Sequence, residues 1–352
     1  ELGYMEEDKK FKQIPYNIFS PEQLGSIYES FLEFKLSKAD EDLEFRNQQW
    51  VSMTKATSDK LKRGETPKNP IARSGELFFT PDNKARKATG TYYTPDYVVK
   101  YIVEKCIGPL SEGKSSSELL ALRICDPAMG SGHFVTGVLR YLTDRYLQTL
   151  EHEPANQSKT RPQAKREILE SCLFGVDINP RAVRLAKLAL WLETAHSGAK
   201  LENLDDQLKA ADTLGDHFAW ENEFAPVFKN KGFDAVVGNP PYRREMDYKE
   251  LFDAIAATKL GRRFRSPRMD LWYYFVHRGI QILRPGGKLS FITNAYWVSG
   301  SGAEKLIQNI YDEMSIEEVV VLGSLKVFED VSGQHMIFRL VKSMDRRRRR
   351  CR

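Results

Sequence analysis

The residues Asn239-Pro240-Pro241-Tyr242 follow directly on an apolar run, Phe233-Asp-Ala-Val-Val-Gly. Two prolines after a strand fix the backbone and leave carbonyls free of competing ladder bonds. An exocyclic amine conjugated to an aromatic ring is a poor nucleophile. The Asn239 side-chain oxygen and the Pro240 carbonyl can accept its two hydrogens and so localise the lone pair on nitrogen, while Tyr242 offers a face for stacking the ring. A chance strand-end turn would have the same composition, and only the company this segment keeps can argue against that.

That company begins with Asp126-Pro-Ala-Met-Gly130-Ser-Gly132-His-Phe134, placed between a strand pattern and a helix pattern. Glycines there let backbone amides approach a ligand at a positive helix N-terminus. An acidic residue just before the turn would repel a pyrophosphate but suits the cationic amino acid end of S-adenosylmethionine. In isolation the segment would also serve as a tight strand–helix turn. Next, in Phe174-Gly-Val-Asp177-Ile178-Asn179-Pro180, Asp177 ends a strand, Asn179 can cap a helix and Pro180 takes its first position. A carboxylate at such a strand end can accept both hydroxyls of a ribose; it could equally be a helix-start acid. Asp212, after Ala210-Ala211, could accept a hydrogen bond from an adenine amine or be a loop acid.

The elements that would position these residues alternate. The spacing predicts strands over Ala121–Cys125, Leu173–Val176, Gln207–Ala211, Phe233–Val237 and Lys288–Thr293, with a final pair over Glu317–Leu322 and His335–Val341. Helices are expected to begin near Pro95, Ser131, Pro180, Asp270 and Gly302. Alternating strands and helices imply an α/β, doubly wound, mainly parallel seven-stranded sheet, whose ligands sit beyond the carboxyl ends of the strands. Every motif above falls there. Upstream, Ser20-Pro21-Glu22-Gln23 reads as a helix start, followed by apolar residues at helical spacing, so residues 1–80 are expected to form a mostly helical appendage. The polar run Ser58–Asn69 reads as a loop. The α/β domain is expected over residues 81–345 and a basic tail over 346–352.

With 352 residues and 41% hydrophobic content, the chain can bury one large α/β core plus an appendage. No apolar stretch approaches the roughly 18 residues a spanning helix needs, so no membrane is implied. Cys106, Cys125, Cys172 and Cys351 form no Cys-x-x-Cys pair and have no His cluster beside them. A disulfide framework and a metal site are therefore not expected, and a cytoplasmic location fits. The formal net charge is +5, but Arg346–Arg350 and Arg352 supply six positive charges, leaving −1 for the rest. Bulk charge thus says nothing about nucleic acid.

Taken with their order along the chain, these motifs resemble those of class I N6-adenine DNA methyltransferases. Within that class the similarity is to the methylase part of type IIG restriction–modification enzymes and related phage-defence methylases. It spans roughly Leu24 to Val341. Gly90-Thr-Tyr-Tyr93-Thr94-Pro95 resembles the motif that helps hold the methionine portion of the cofactor, and Gly25-Ser-Ile-Tyr28-Glu29 the helical segment upstream of it. The resemblance implies S-adenosylmethionine as cofactor, held by Tyr93, Thr94, Asp126, Ala128, Gly130, Gly132, Asp177, Ile178 and Asp212. It implies Asn239, Pro240, Pro241 and Tyr242 as the catalytic turn. Val327-Phe328-Glu329 resembles the site of a second aromatic that stacks on the flipped base, although Phe328 alone would more often be core. The implied partner is double-stranded DNA, from which the adenine leaves the duplex because its N6 is unreachable while stacked.

Two basic patches could contact phosphate: Arg243 and Arg244 after the catalytic turn, and Arg262, Arg263, Arg265 and Arg268 in the loop region that follows. They could equally form a solvated face. A target-recognition domain or specificity subunit is expected to follow Val341, and its absence departs from the family's pattern. Glu33-Phe34-Lys35 is a lone Glu-x-Lys in an expected amphipathic helix, so no nuclease is implied. Alternative readings are a protein-glutamine or ribosomal RNA methyltransferase, since the same four-residue turn occurs on amide and guanine-amine enzymes, and a non-catalytic cofactor-binding subunit.

Overall fold

The computed structural model describes residues 4–7, 10–13, 34–46, 49–64, 71–81, 94–153, 159–195, 203–298, 300, 302–323, 325, 327–328 and 333–343. Two compact units are present, one of Ser26–Gly90 and one of Glu1–Gly25 with Thr91–Arg352.

The larger unit is built on strands β1 (Ile124–Asp126), β2 (Leu173–Asp177), β3 (Leu208–Ala210), β4 (Phe233–Gly238), β5 (Leu283–Asn294), β6 (Met314–Val321) and β7 (His335–Lys342). They form one seven-stranded sheet in the order β3-β2-β1-β4-β5-β7-β6. All pairs are parallel except those of β7, which runs antiparallel to β5 and β6. The α/β class, the mainly parallel sheet and the strand count match the expectation.

Helices cover both faces. On one side lie α1 (Asp96–Ser111), α2 (Ser116–Leu120), α3 (His133–His152), α4 (Arg161–Cys172) and α5 (Pro180–Thr194). Short helices α6 (Trp220–Glu223) and α7 (Ala225–Phe228) lie on the other, with α8 (Lys249–Ala256), α9 (Lys259–Phe264), α10 (Leu271–Ile282) and α11 (Glu304–Glu313). A strand covered on both faces cannot alternate apolar with polar. Accordingly every residue of β4 is buried, and in β5 Phe291 packs into the core on one face while Ile292 packs into the other.

Local chemistry sets the helix starts. Asn179 caps α5 by accepting the Arg181 N–H at 3.0 Å, with Pro180 in the first turn. Thr160 and Gln163 form a capping box at α4, a signal present in the sequence that the strand–helix alternation alone passes over.

The smaller unit departs from expectation. Where described, it contains Phe34–Lys38 paired antiparallel with Leu77–Pro81, and Leu43–Arg46 paired with both Gln49–Ser52 and Ile71–Ala72. Strands Tyr4–Glu7 and Lys10–Gln13 of the larger unit also pair with each other. The mostly helical appendage is therefore corrected for the described residues, which hold a single helix, Lys55–Lys62, capped by Thr54. That helix takes the first part of the run expected as a loop, and Glu33-Phe34-Lys35 leads into a strand. Runs such as Phe34-Lys-Leu-Ser-Lys and Leu43-Glu-Phe-Arg alternate with a period of two, which favours strands. The helix expected from Ser20 lies outside the described residues, as does Gly25–Glu29.

Candidate active site

Three strand ends and the loops leaving them meet at one edge of the sheet. β1 ends on Asp126, which is 2% exposed, and its Oδ1 accepts the Ala128 N–H at 3.0 Å. The loop after it folds toward β2: the Met129 N–H donates to the Val176 carbonyl and the Gly130 N–H to Asp177 Oδ2 at 2.9 Å. Gly132 then starts α3 with φ of +87°, a left-handed conformation that favours glycine, and a Cβ there would lie 3.0 Å from that of Ala186. Asp177 Oδ1 accepts the Asn179 N–H at 2.8 Å, and the Asp177 carbonyl accepts the Ala211 N–H. Thr213 closes the arc by donating its hydroxyl to the Pro127 carbonyl at 2.6 Å.

The electrostatics of this arc follow from burial. Burial pushes the Asp126 carboxyl up to about 8, against the pull of the Ala128 N–H and with a smaller push from the Asp177 charge. Asp177 is likewise raised by burial, against the Asn179 and Gly130 N–H groups. Asp212 is exposed and accepts the Leu214 N–H at 3.0 Å. Ile178 is 71% exposed, an apolar side chain in water beside the half-buried Asp177. Ala128 is half-buried. Arg278, absent from the sequence-derived set, donates from Nε to the Thr213 carbonyl at 2.9 Å and so braces the strand end that carries Asp212.

The Asn239 turn stands on the next strand. Gly238 lies against β1 so closely that a Cβ there would come 2.7 Å from Asp126 Oδ1. Asn239 Nδ2 donates to Thr94 Oγ1 at 3.1 Å, which ties the turn to the chain just before α1. Its Oδ1 accepts the Tyr242 hydroxyl at 2.5 Å, for which the Ile292 carbonyl is a second acceptor at 3.0 Å. Pro240 is buried and Pro241 half-buried. The far side of the turn is held by Asp270, which is buried: its Oδ1 accepts the Arg243 N–H at 2.9 Å and its Oδ2 accepts from Asn294 at 3.1 Å. Phe328 is buried with its ring centroid 6.3 Å from that of Tyr242. The fold thus brings together Thr94, Asp126, Ala128, Gly130, Gly132, Asp177, Ile178, Asp212, the Asn239 turn and Phe328. Tyr93 and Glu329 lie outside the described residues.

The arginines separate. Arg265 is paired with both Glu245 and Asp253, at 3.1 and 2.9 Å, and Arg243 is half-buried over the Tyr248 ring. Arg244, Arg262, Arg263 and Arg268 are exposed, with Arg262 and Arg263 on α9, not in a loop. Among the described residues no group of three or more His, Cys, Asp or Glu could hold a metal ion, and no helix is long and apolar enough to cross a membrane.

Residues 171–328 match the family model for the Eco57I restriction-modification methylase. The type II restriction enzyme and methyltransferase RM.Eco57I of Escherichia coli is 28% identical over 265 residues, covering 67% of this chain and 26% of its own length. The adenine-specific methyltransferase PglX of Streptomyces coelicolor is 29% identical over 221 residues, covering 52% of this chain and 17% of its own. The chain thus spans only about a quarter of the first of these relatives and less of the second. Among solved structures, the type IIL restriction-modification enzyme MmeI in complex with DNA aligns with a TM-score of 0.56 at 17% identity, over 75% of this chain and 39% of that one. The two chains share this α/β fold.

Proposed function

We propose that this chain, which carries an Eco57I-type restriction-modification methylase domain over residues 171–328, transfers a methyl group from S-adenosylmethionine to the N6 amine of a flipped-out adenine in DNA. The observation that carries this reading is that the Asn239 turn follows Gly238, which packs so closely on β1 that a Cβ there would lie 2.7 Å from Oδ1 of the buried Asp126. Amine acceptor and cofactor loop therefore stand side by side at adjacent strand ends.

The donor set fits the cofactor. Among the described residues no cation faces this buried carboxyl, raised to about 8, and the cofactor's ammonium group is one. Asp126 would take that end, with the Gly130 and Gly132 turn giving it room. Asp177 would accept from the ribose on the lone pairs its two N–H partners leave, and Ile178 and Asp212 would flank the adenine. Bound there, S-adenosylmethionine supplies an electrophilic methyl group. Asn239 and Pro240 orient and polarise the target amine through its hydrogens, and no strong base is required. In this arrangement the Tyr242 hydroxyl occupies Asn239 Oδ1. An entering base amine would replace it and free the Tyr242 ring to stack opposite Phe328. The relatives do not favour the protein-glutamine or ribosomal RNA alternatives. In this reading the chain is the modification part of a restriction–modification or phage-defence system.

Asn239→Ala separates the roles. It should abolish methyl transfer in single turnover while cofactor affinity, measured by titration, stays within a few-fold of the parent. Near-normal turnover in the mutant would sink the mechanism.

A further inference from the structure

β7 opens on His335, which is 1% exposed and whose Nδ1 and Nε2 both lack a hydrogen-bond partner among the described residues. Burial lowers its pKa below the usual imidazole value, so at neutral pH the ring is uncharged and carries one N–H donor and one bare acceptor. Buried polar groups are ordinarily paired. His277 shows how the same core treats a structural histidine: it stacks on Phe264 at 3.7 Å and its Nδ1 bonds the Asn309 amide at 2.9 Å. His335 has no such use of either nitrogen.

Its position is not arbitrary. The ring lies 5.9 Å from Tyr242 and 4.8 Å from Phe328, centroid to centroid, and so lines the cluster formed by the two aromatics. The backbone around it is pinned: the Leu322 N–H donates to the His335 carbonyl at 2.8 Å, and the Ala295 N–H to the Gln334 carbonyl at 2.9 Å.

We propose that His335 is a base-reading residue, whose imidazole N–H donates to a ring nitrogen of the target base once that base lies against Tyr242. This inference rests on the reading above that the Asn239 turn receives an adenine amine. Stacking rings accept any base, and Asn239 reads only the amine. A donor aimed at a ring nitrogen adds discrimination that apolar contact cannot, because a base lacking the acceptor leaves the donor buried and unpaired.

Duplexes carrying 1-deaza-, 3-deaza- or 7-deazaadenine at the methylated position test this, with kcat/KM for labelled-methyl transfer measured on the full chain. In the parent, one of the three replacements should cost about tenfold or more. In His335→Phe that replacement should cost less than about twofold while the other two keep their parental effects, because the partner is already gone. His335→Asn, which keeps an N–H donor in a smaller side chain, should retain part of the sensitivity, and cofactor affinity should be unchanged in both. A His335→Phe enzyme with the parent's full deaza profile would overturn the assignment, as would a parent indifferent to all three. A parent that methylates no ordinary adenine fails before any variant is made, and that result overturns the functional reading together with this one.

Discussion

Asp126 is a carboxyl in a place where ionisation is costly, at the buried end of β1 with a second carboxylate, Asp177, nearby. If its partner is the ammonium end of the cofactor, the sign of the pH dependence follows. Below about 8 the free protein holds this group protonated. A cationic ligand selects the ionised form, so binding near neutral pH releases a proton. Affinity should therefore climb with pH by up to about tenfold per unit below about 8, and fall again as the ligand's own ammonium loses its proton. Calorimetry in buffers of different ionisation enthalpy reads that proton directly, and Asp126→Asn should both weaken binding and flatten the profile. A pH-independent affinity in the parent would remove Asp126 from the cofactor site. At this scale the sequence was legible wherever a carboxylate or amide closed a strand pattern: Asp126, Asp177, Asp212 and Asn239 all stand at strand ends on one edge. Asp270, Arg278 and His335 were not legible as site residues. Each contacts the site beside a neighbour distant in the chain, Arg243, Thr213 and Tyr242 respectively, and no spacing rule connects them.

The elements hold these groups at contact distance, and β4 against β1 is the tightest case. Gly238→Ala would place a Cβ 2.7 Å from Asp126 Oδ1, and both atoms belong to buried strand ends with little room to give. Overpacking of this kind costs about 1–3 kcal/mol. The variant should show a lowered Tm and a cofactor affinity reduced further than its stability loss explains, because the displaced atom is the one assigned to the ligand. Parental Tm together with parental affinity would show that the strand ends are looser than described. The central strands β1 and β4 were readable because burial on both faces writes a continuous apolar run, and turn residues delimit it. The strands of residues 34–81 were not read, since short alternating runs between polar segments carry little weight beside one strong helix-start signal. α4 escaped for a related reason: it lies within the crossover to β2, where only its Thr160 to Gln163 cap announces it.

For the whole molecule, net charge is a poor guide, and exposure of individual arginines is a better one. Arg265 is already neutralised by Glu245 and Asp253, whereas Arg262 and Arg263 stand exposed on α9. If that helix meets the phosphate backbone, replacing both Arg262 and Arg263 with Ala should weaken DNA binding across all sequences. It should also reduce the slope of log affinity against log salt by about two. An unchanged slope would leave α9 a solvated face. The account as a whole turns on what receives the methyl group. The direct measurement is transfer of labelled methyl from S-adenosylmethionine to duplex DNA, total RNA and a release-factor protein in parallel, followed by digestion of each product. The account predicts label in DNA, recovered as N6-methyl-2′-deoxyadenosine and lost in Asn239→Ala. Label confined to RNA or to protein glutamine, with none in DNA, would contradict it.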